Sequence, residues 1–461
     1  MSAQKEADVI VIGSGQAGVP LATRLAAAGK NVVLVERGHL GGTCVNVGCT
    51  PTKTLVASAR AAHVARTSAR LGVQTGEVKV DFAAVMSRKD AIVKRWRDGV
   101  EHHVDGAKEN LETIIGHARF VDERVIEVNG KRHTAKQIVI NVGARPAVPA
   151  VKGLPGVPYL TSSSLLELKE LPKHLVILGA GYIACEMGQM FRRFGSEVTL
   201  VAPSARLLPR EDEAVSEAMM AVFRAEGISL ELTRKVAEIK RTEEGVELDI
   251  EGQSTAIHGT HLLVATGRVP NTGDLGCDDG KISVDGSAHI VVDESYETST
   301  KGVFAVGDCI AGPQFTHVAW DDHRVLFETL MGRRARAHTD RLVPYTIFTD
   351  PQVAGVGLSE RSAREEGRDI EVATMPFGNI ARAIETDETA GVVKVILDRK
   401  TEQILGAFVV GVDAGELIHI FSVLMQAKGS ARAIVDGEFV HPTFAEGMQS
   451  AVMKLGRYAL S

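Results

Sequence analysis

The sequence predicts an α/β fold in which one strand–turn–helix–strand unit occurs twice, ahead of a third region of α+β character. Three observations carry that prediction. Residues 8–13, DVIVIG, form an apolar strand pattern that runs into GSGQAG, an alanine-rich helix (VPLATRLAAAG) and a second strand, NVVLVE, ending at Glu36. Beyond a proline- and glycine-rich stretch, ARPAVPAVKGLPGVP, the segment HLVILGAGYIACEMGQMFRRFGSEVTLVA repeats the same order. From about Val343 strands and helices continue without such a turn, in PYTIFTDPQVAGVG, EVATMPFG, GVVKVILD and QILGAFVVG, followed by two amphipathic helices around residues 414–435. Gly13, Gly15 and Gly18 fit G-x-G-x-x-G, and Gly179, Gly181 and Ala184 fit G-x-G-x-x-[GA]. Glycines placed this way let the backbone approach a pyrophosphate that rests on a helix N-terminus. Two such Rossmann-like units imply two dinucleotides, a far more specific signal than either alone. With a further arginine-rich break, GRRARAHTDR at 332–341, the chain divides into residues 1–147, 148–272, 273–340 and 341–461.

Bulk properties narrow the function. A chain of 461 residues is too long for one core. At 44% hydrophobic, 24% charged and a net charge of −6 it gives no reason to expect nucleic acid or an anionic membrane as partner. The start, MSAQKEADVIVIG, has no basic segment before its apolar run, and no apolar run nears the roughly 18 residues of a membrane span. Five cysteines with one close pair fit redox chemistry in a reducing compartment, so a cytoplasmic location is expected and no metal site is.

The close pair lies in Gly41–Leu55, GGTCVNVGCTPTKTL, where Cys44 and Cys49 precede Pro51, Lys53 and a helix expected over about 52–69. A thiolate near a helix N-terminus and a lysine is stabilised, so its pKa should fall below the free value of about 8.5. The spacing also allows a small disulfide loop that is made and broken during turnover; an inert staple is the plainer alternative. A second helix, about 82–103, carries RKDAIVKRWRD, which reads as a solvated face.

The acid positions differ between the units. Glu36 lies 23 residues after Gly13, where a carboxylate binds ribose hydroxyls; the same step from Gly179 reaches Ala202. An alanine removes the group that would repel a 2′-phosphate, and Arg206 and Arg210 follow closely, which favours NADPH over NADH. Asp308, after the strand of KGVFAVGDCI, is suited to accept hydrogen bonds from a polyol or ribose, or to cap a turn.

In this order the chain carries GSGQAG, GGTCVNVGCTPTK, GAGYIACE, ATGRVPNT, VFAVGD and HPTFAE. Over essentially its whole length it resembles the class I pyridine nucleotide–disulfide oxidoreductases, a family that includes glutathione reductase, dihydrolipoyl dehydrogenase and mercuric reductase. The resemblance implies FAD in the first unit (1–147 with 273–340), at Gly13, Gly15, Gly18, Glu36, Gly42, Thr43, Lys53, Ala118, Gly143, Asp308 and His317. It implies NADPH or NADH in 148–272, near Gly179, Gly181, Ala202, Arg206, Gly267 and Arg268. Electrons would pass from the nicotinamide nucleotide to FAD, to a Cys44–Cys49 disulfide and then to an acceptor. By the family pattern Cys49 faces the flavin and Cys44 meets substrate, Lys53 pairs with Glu186, and Tyr182 gates the nicotinamide side. Residues 341–461 resemble the family's dimerisation domain, which in a homodimer lends His441 and Glu446 to the other subunit's site as acid and base. Cys185 reads as core, and Cys277 and Cys309 are given no chemistry.

Ala202, LLPREDE and MPFGNIARA lean toward the mercuric-reductase-like branch. Two departures bear on Hg(II) turnover: no cysteine follows Cys309, where mercuric reductase has a paired-cysteine tail, and His441 stands where it has tyrosine. The segment GPQFTHVAWDDHRV also resembles a bacterial branch that reduces reactive oxidants such as hypothiocyanous acid. The expected acceptor is therefore a small disulfide, lipoyl-type or thiol-reactive compound. Dihydrolipoyl dehydrogenase is the second reading, and a redox-sensing flavoprotein with little turnover the third.

Overall fold

The computed structural model describes residues 7–334 and 336–458, which fold as two compact units. The first comprises residues up to 54, 87–147 and 267–341; the second comprises 55–86, 148–266 and 342 onward.

In the first unit the strand Ala7–Ile12 lies between Val32–Glu36 and Lys131–Ile140, parallel to both, with Ile10 opposite Val33 on one side and Ile138 on the other. Leu111–Ile115 extends the sheet beyond Val32–Glu36, and Val303–Ala305 also pairs with Lys131–Ile140. Val9, Ile10, Leu34, Ile138, Val139 and Ile140 are buried, as expected for parallel strands covered on both faces. Ala118–Asp122 and Val125–Val128 continue antiparallel to the outer end of Lys131–Ile140. The start of the proline-rich stretch is not free linker: Ala144–Pro146 pairs antiparallel with Arg268–Pro270. The arginine-rich break is likewise tied down, since Arg341 donates to the buried Asp322 at 2.6 Å; its Ala335 lies outside the described residues.

The second unit repeats the parallel pattern in the order Ser229–Glu231, Glu197–Val201, His174–Leu178, His261–Val264. A three-stranded antiparallel sheet of Val236–Arg241, Val246–Ile250 and Ile257–Gly259 adjoins it in sequence. Residues 345–411 form a five-stranded antiparallel sheet, on which the helix Ala414–Gln426 buries Leu417, Ile418 and Phe421. The second expected helix there is a single turn, Arg432–Val435. Among the described residues no helix is long and apolar enough to cross a membrane.

Candidate active site

In the first unit the turn after Ala7–Ile12 is shaped by backbone contact. Gly13 has φ +101°, and a Cβ there would lie 2.2 Å from Asn141 O; a Cβ on Gly18 would lie 1.9 Å from Gly13 O. No side chain fits at either place. Asn141, which the sequence reading did not single out, accepts from Gly18 N at 2.9 Å and donates to Val306 O at 3.0 Å. It thereby joins the glycine turn to the strand that precedes Asp308. Glu36 is drawn into the same turn: its Oε2 accepts from Ser14 N at 3.0 Å and Ser14 Oγ at 2.6 Å, and its Oε1 from Gly38 N at 2.8 Å.

The cysteine segment is fastened to this turn. Gly41 N donates to Ser14 O at 3.1 Å, and Gly42 (φ +61°) is so close to Gly15 that a Cβ would lie 2.7 Å from its Cα. Cys44 sits in a short helix, Gly42–Val47, and Cys49 opens the helix Cys49–Thr67, three residues earlier than the sequence reading placed its start. Gly48 folds the chain back between them, with no room for a Cβ, which would lie 2.8 Å from Thr43 O. Asn46 pins the first helix by donating to Leu40 O and Gly42 O, each at 2.9 Å, and accepts from Arg97 Nε at 2.9 Å. Arg97 belongs to the charge run read as a solvated face, as do Arg88, which donates to Thr54 O at 3.0 Å, and the buried Lys89, so three of its cations are structural.

Both cysteines are thiols, hydrogen-bonded to each other. The expectation of a lowered thiol pKa fails at Cys44. Its bond to the Cys49 sulfur pushes it up, burial and the charge of Cys49 add to this, and Thr316 and Lys53 oppose it. The Cys44 thiol is therefore the harder of the two to ionise unaided. Thr316 Oγ1 lies 3.1 Å from Cys49 Sγ, placed there as the first residue of the helix Thr316–Leu330. The sequence reading had singled out its neighbour His317, whose ring stacks on Phe315 at 5.4 Å between centroids.

Asp308 stands in a tight turn, Gly307–Cys309, and burial raises its pKa against the opposing charge of Arg268, 4.0 Å away. The turn is held from behind by Asp322, which accepts from Gly307 N at 2.8 Å and Tyr296 OH at 2.6 Å. Arg268 also donates to Ala144 O at 2.6 Å, and Gly267 O accepts from Ala147 N at 2.9 Å, so both lie in the first unit. Gly143 has φ +65° with open space where a Cβ would stand, and Ala118 is buried at the start of its strand. Burial pushes Cys309 up to about 12 and Cys277 up to about 11, and raises Cys185 as well, so none of the three is a ready nucleophile.

In the second unit Gly179 (φ +130°) approaches Ala265 O as Gly13 approaches Asn141 O, and Gly181 opens onto free space. The helix Tyr182–Phe194 follows, with Tyr182 exposed at its first position and Ala184 and Glu186 buried. Glu186 Oε1 accepts from Phe348 N at 2.8 Å. Ala202 is buried at the carboxyl end of Glu197–Val201. Arg206, expected near a 2′-phosphate, pairs with Glu213 at 2.7 Å. At the far end of the unit Thr443 caps the helix Phe444–Met453 by accepting from Glu446 N. The cap puts Glu446 in the first turn, where its oxygens lie 2.9 and 3.0 Å from His441 Nδ1. His441 is 70% exposed, with Nε2 left for exchange.

The first unit's crowded glycine turn, with Glu36 at the end of the second strand and partnered, fits the adenosine and pyrophosphate of a dinucleotide such as FAD; the second turn fits a dinucleotide without a carboxylate at its ribose. Comparisons agree with this chemistry. The family model for pyridine nucleotide–disulphide oxidoreductases matches residues 7–322, and the model for the dimerisation domain of that family matches 343–452. The chain is 35% identical to mercuric reductase of Staphylococcus aureus over 449 residues, 97% of this chain and 82% of that one. It is 36% identical to the probable pyridine nucleotide-disulfide oxidoreductase RclA of Escherichia coli (95% and 97% covered) and 35% identical to mitochondrial dihydrolipoyl dehydrogenase of Pisum sativum (98% and 92%). The solved structure of the HOCl-induced flavoprotein disulfide reductase RclA from Escherichia coli superposes with TM-score 0.89 at 36% identity, covering 96% of this chain and 99% of that one. The chain belongs to the class I pyridine nucleotide–disulfide oxidoreductases, FAD-dependent enzymes that draw electrons from NAD(P)H, and it carries their dimerisation domain.

Proposed function

We propose that Cys44 and Cys49 are the pair this enzyme reduces and reoxidises, and that its acceptor is a small disulfide or thiol-reactive compound. The observation that carries this reading is the thiol pair itself, hydrogen-bonded at a helix start that is fastened to the first glycine turn through Gly41 and Gly42. Residues 1–147 and 273–340 are assigned to FAD, 148–272 to the nicotinamide nucleotide with NADPH preferred, and 341–461 to a homodimer interface. Bound FAD supplies a two-electron relay between NAD(P)H and the cysteine pair. Gly13, Gly15, Gly18 and Glu36 would hold its adenosine end, Asp308 its polyol, and Lys53, Glu186, Tyr182 and His317 keep the roles the resemblance gives them. The cytoplasm is the assigned compartment.

With a disulfide acceptor, the Cys44 sulfur attacks one acceptor sulfur, a mixed disulfide forms, and the other sulfur leaves as a thiol with the proton that Cys44 gave up. The Cys49 sulfur then attacks Cys44, closes the Cys44–Cys49 disulfide and releases the second thiol, so two electrons and two protons leave together. Because the Cys44 thiol is raised, the first attack needs a base. His441 of the other subunit, held at Nδ1 by Glu446, is assigned that role. A lipoyl-type acceptor is the second reading, favoured by the 35% identity to dihydrolipoyl dehydrogenase across 98% of the chain.

The test separates the two halves of the cycle. After anaerobic reduction by NADPH, reoxidation is followed with lipoamide, a small disulfide, hypothiocyanous acid and Hg(II), in wild type and His441→Gln. The variant should be reduced at the wild-type rate and reoxidised about 10²- to 10⁴-fold more slowly. Its residual rate should climb with pH, since a raised Cys44 thiol must then ionise unaided. Equal slowing of both halves, or a residual rate indifferent to pH, would overturn the role of His441.

A further inference from the structure

We infer that Arg234 is the residue by which this chain recognises the 2′-phosphate of NADPH, a role the sequence pattern would give to Arg206 or Arg210. The inference rests on the reading that residues 148–272 bind the nicotinamide nucleotide.

Strands Glu197–Val201 and Ser229–Glu231 run parallel and end level, with Val201 opposite Glu231. In such sheets ligands bind beyond the carboxyl ends of the strands. The first strand delivers Ala202, at the place where a carboxylate would read a ribose; the second delivers Leu232, Thr233 and Arg234. Backbone hydrogen bonds zip the two ends together: Ala202 N donates to Glu231 O at 3.0 Å, Thr233 N to Ser204 O at 2.9 Å, and Arg234 N to Ala202 O at 2.9 Å. Arg234 is thus anchored at the alanine itself, across the sheet and not along the chain.

The charges distinguish the candidates. The Arg206 guanidinium is held by Glu213 at 2.7 Å, the shorter of the two ion pairs. Arg234 faces Glu231 at the longer distance of 3.5 Å. The amide of Gln253 lies over the face of the guanidinium; with its oxygen turned toward it, all three nitrogens are 2.6–3.2 Å away. A neutral amide leaves the charge of Arg234 in place, and the edge of the planar fork suits a phosphate dianion. Arg234 is also 40% exposed, so its charge is reachable from solvent.

The test uses the flavin-loaded enzyme and calorimetric binding of 2′,5′-ADP and 5′-AMP, which differ in the 2′-phosphate. Arg234→Gln should weaken 2′,5′-ADP by about 10- to 100-fold and leave 5′-AMP within about twofold. Arg234→Lys should recover part of the loss, and Arg206→Gln should change the ratio by less than about threefold. If 5′-AMP still binds but Arg234→Gln keeps the wild-type preference, or Arg206→Gln or Arg210→Gln removes it, the assignment to Arg234 is wrong. If wild type binds neither ligand, the nucleotide reading of 148–272 falls, and the inference with it.

Discussion

Gly13 and Gly179 hold equivalent places in the two strand–turn–helix units, and in each a Cβ would strike a carbonyl of the next parallel strand's turn, Asn141 O at 2.2 Å or Ala265 O at 2.3 Å. Beyond that shared contact the units part. The first is closed tightly: Gly18 leaves no room for a Cβ, Asn141 fixes the helix start, and Glu36 returns to Ser14. The second has Ala184 where the first has Gly18, open space at Gly181, and Ala202 with Arg234 where the first has its acid. The backbone requirement is a pyrophosphate at a helix N-terminus and is common to both. The ribose end is read by side chains, and there one unit offers a partnered carboxylate and the other a cation.

The sharpest way to break this comparison is to put a methyl on each first glycine. Gly13→Ala and Gly179→Ala each impose about 1–3 kcal/mol of backbone strain before the clash is counted. Gly13→Ala should be purified with little or no flavin, whereas Gly179→Ala should keep its flavin absorbance and lose most of its NADPH affinity. Loss of flavin in both would mean that the two turns do not serve separate ligands. A smaller effect is expected where the ribose ends differ. Ala202→Glu places a carboxylate where the 2′-phosphate is proposed to sit, and close like charges cost about 1–4 kcal/mol. NADPH binding should weaken roughly 10-fold or more, with NADH unaffected or improved. An unchanged ratio of the two affinities would remove Ala202 from the specificity argument.

What was legible in the sequence was local and periodic. The apolar strands, the glycine turns and the acid at Glu36 all lie within one short unit, where spacing alone fixes geometry. The helix Cys49–Thr67 begins three residues before the expected start, and takes in Pro51, since proline is tolerated in a first turn. The short helix that holds Cys44 has too few residues for a periodic signal. Partners set by the tertiary fold left no trace of that kind: Thr316 meets Cys49 across 267 positions, and Ala144–Pro146 pairs with a strand more than a hundred residues away. The raised Cys44 thiol follows from the same cause, since the expectation rests on the helix dipole and Lys53 and not on a hydrogen bond from a second sulfur. Asn141 and Asp322 had a weak signal, as polar residues at the ends or on the faces of otherwise apolar elements, and burial gives them their meaning.

The central claim is that electrons from NADPH come to rest on Cys44 and Cys49. Counting thiols after denaturation, before and after anaerobic addition of NADPH to the oxidised enzyme, tests it directly. With Cys185, Cys277 and Cys309 as thiols throughout, the count should rise from three to five per chain. Cys44→Ser and Cys49→Ser, each left with four cysteines, should show no rise. A wild-type count that stays constant while NADPH is consumed would contradict the account.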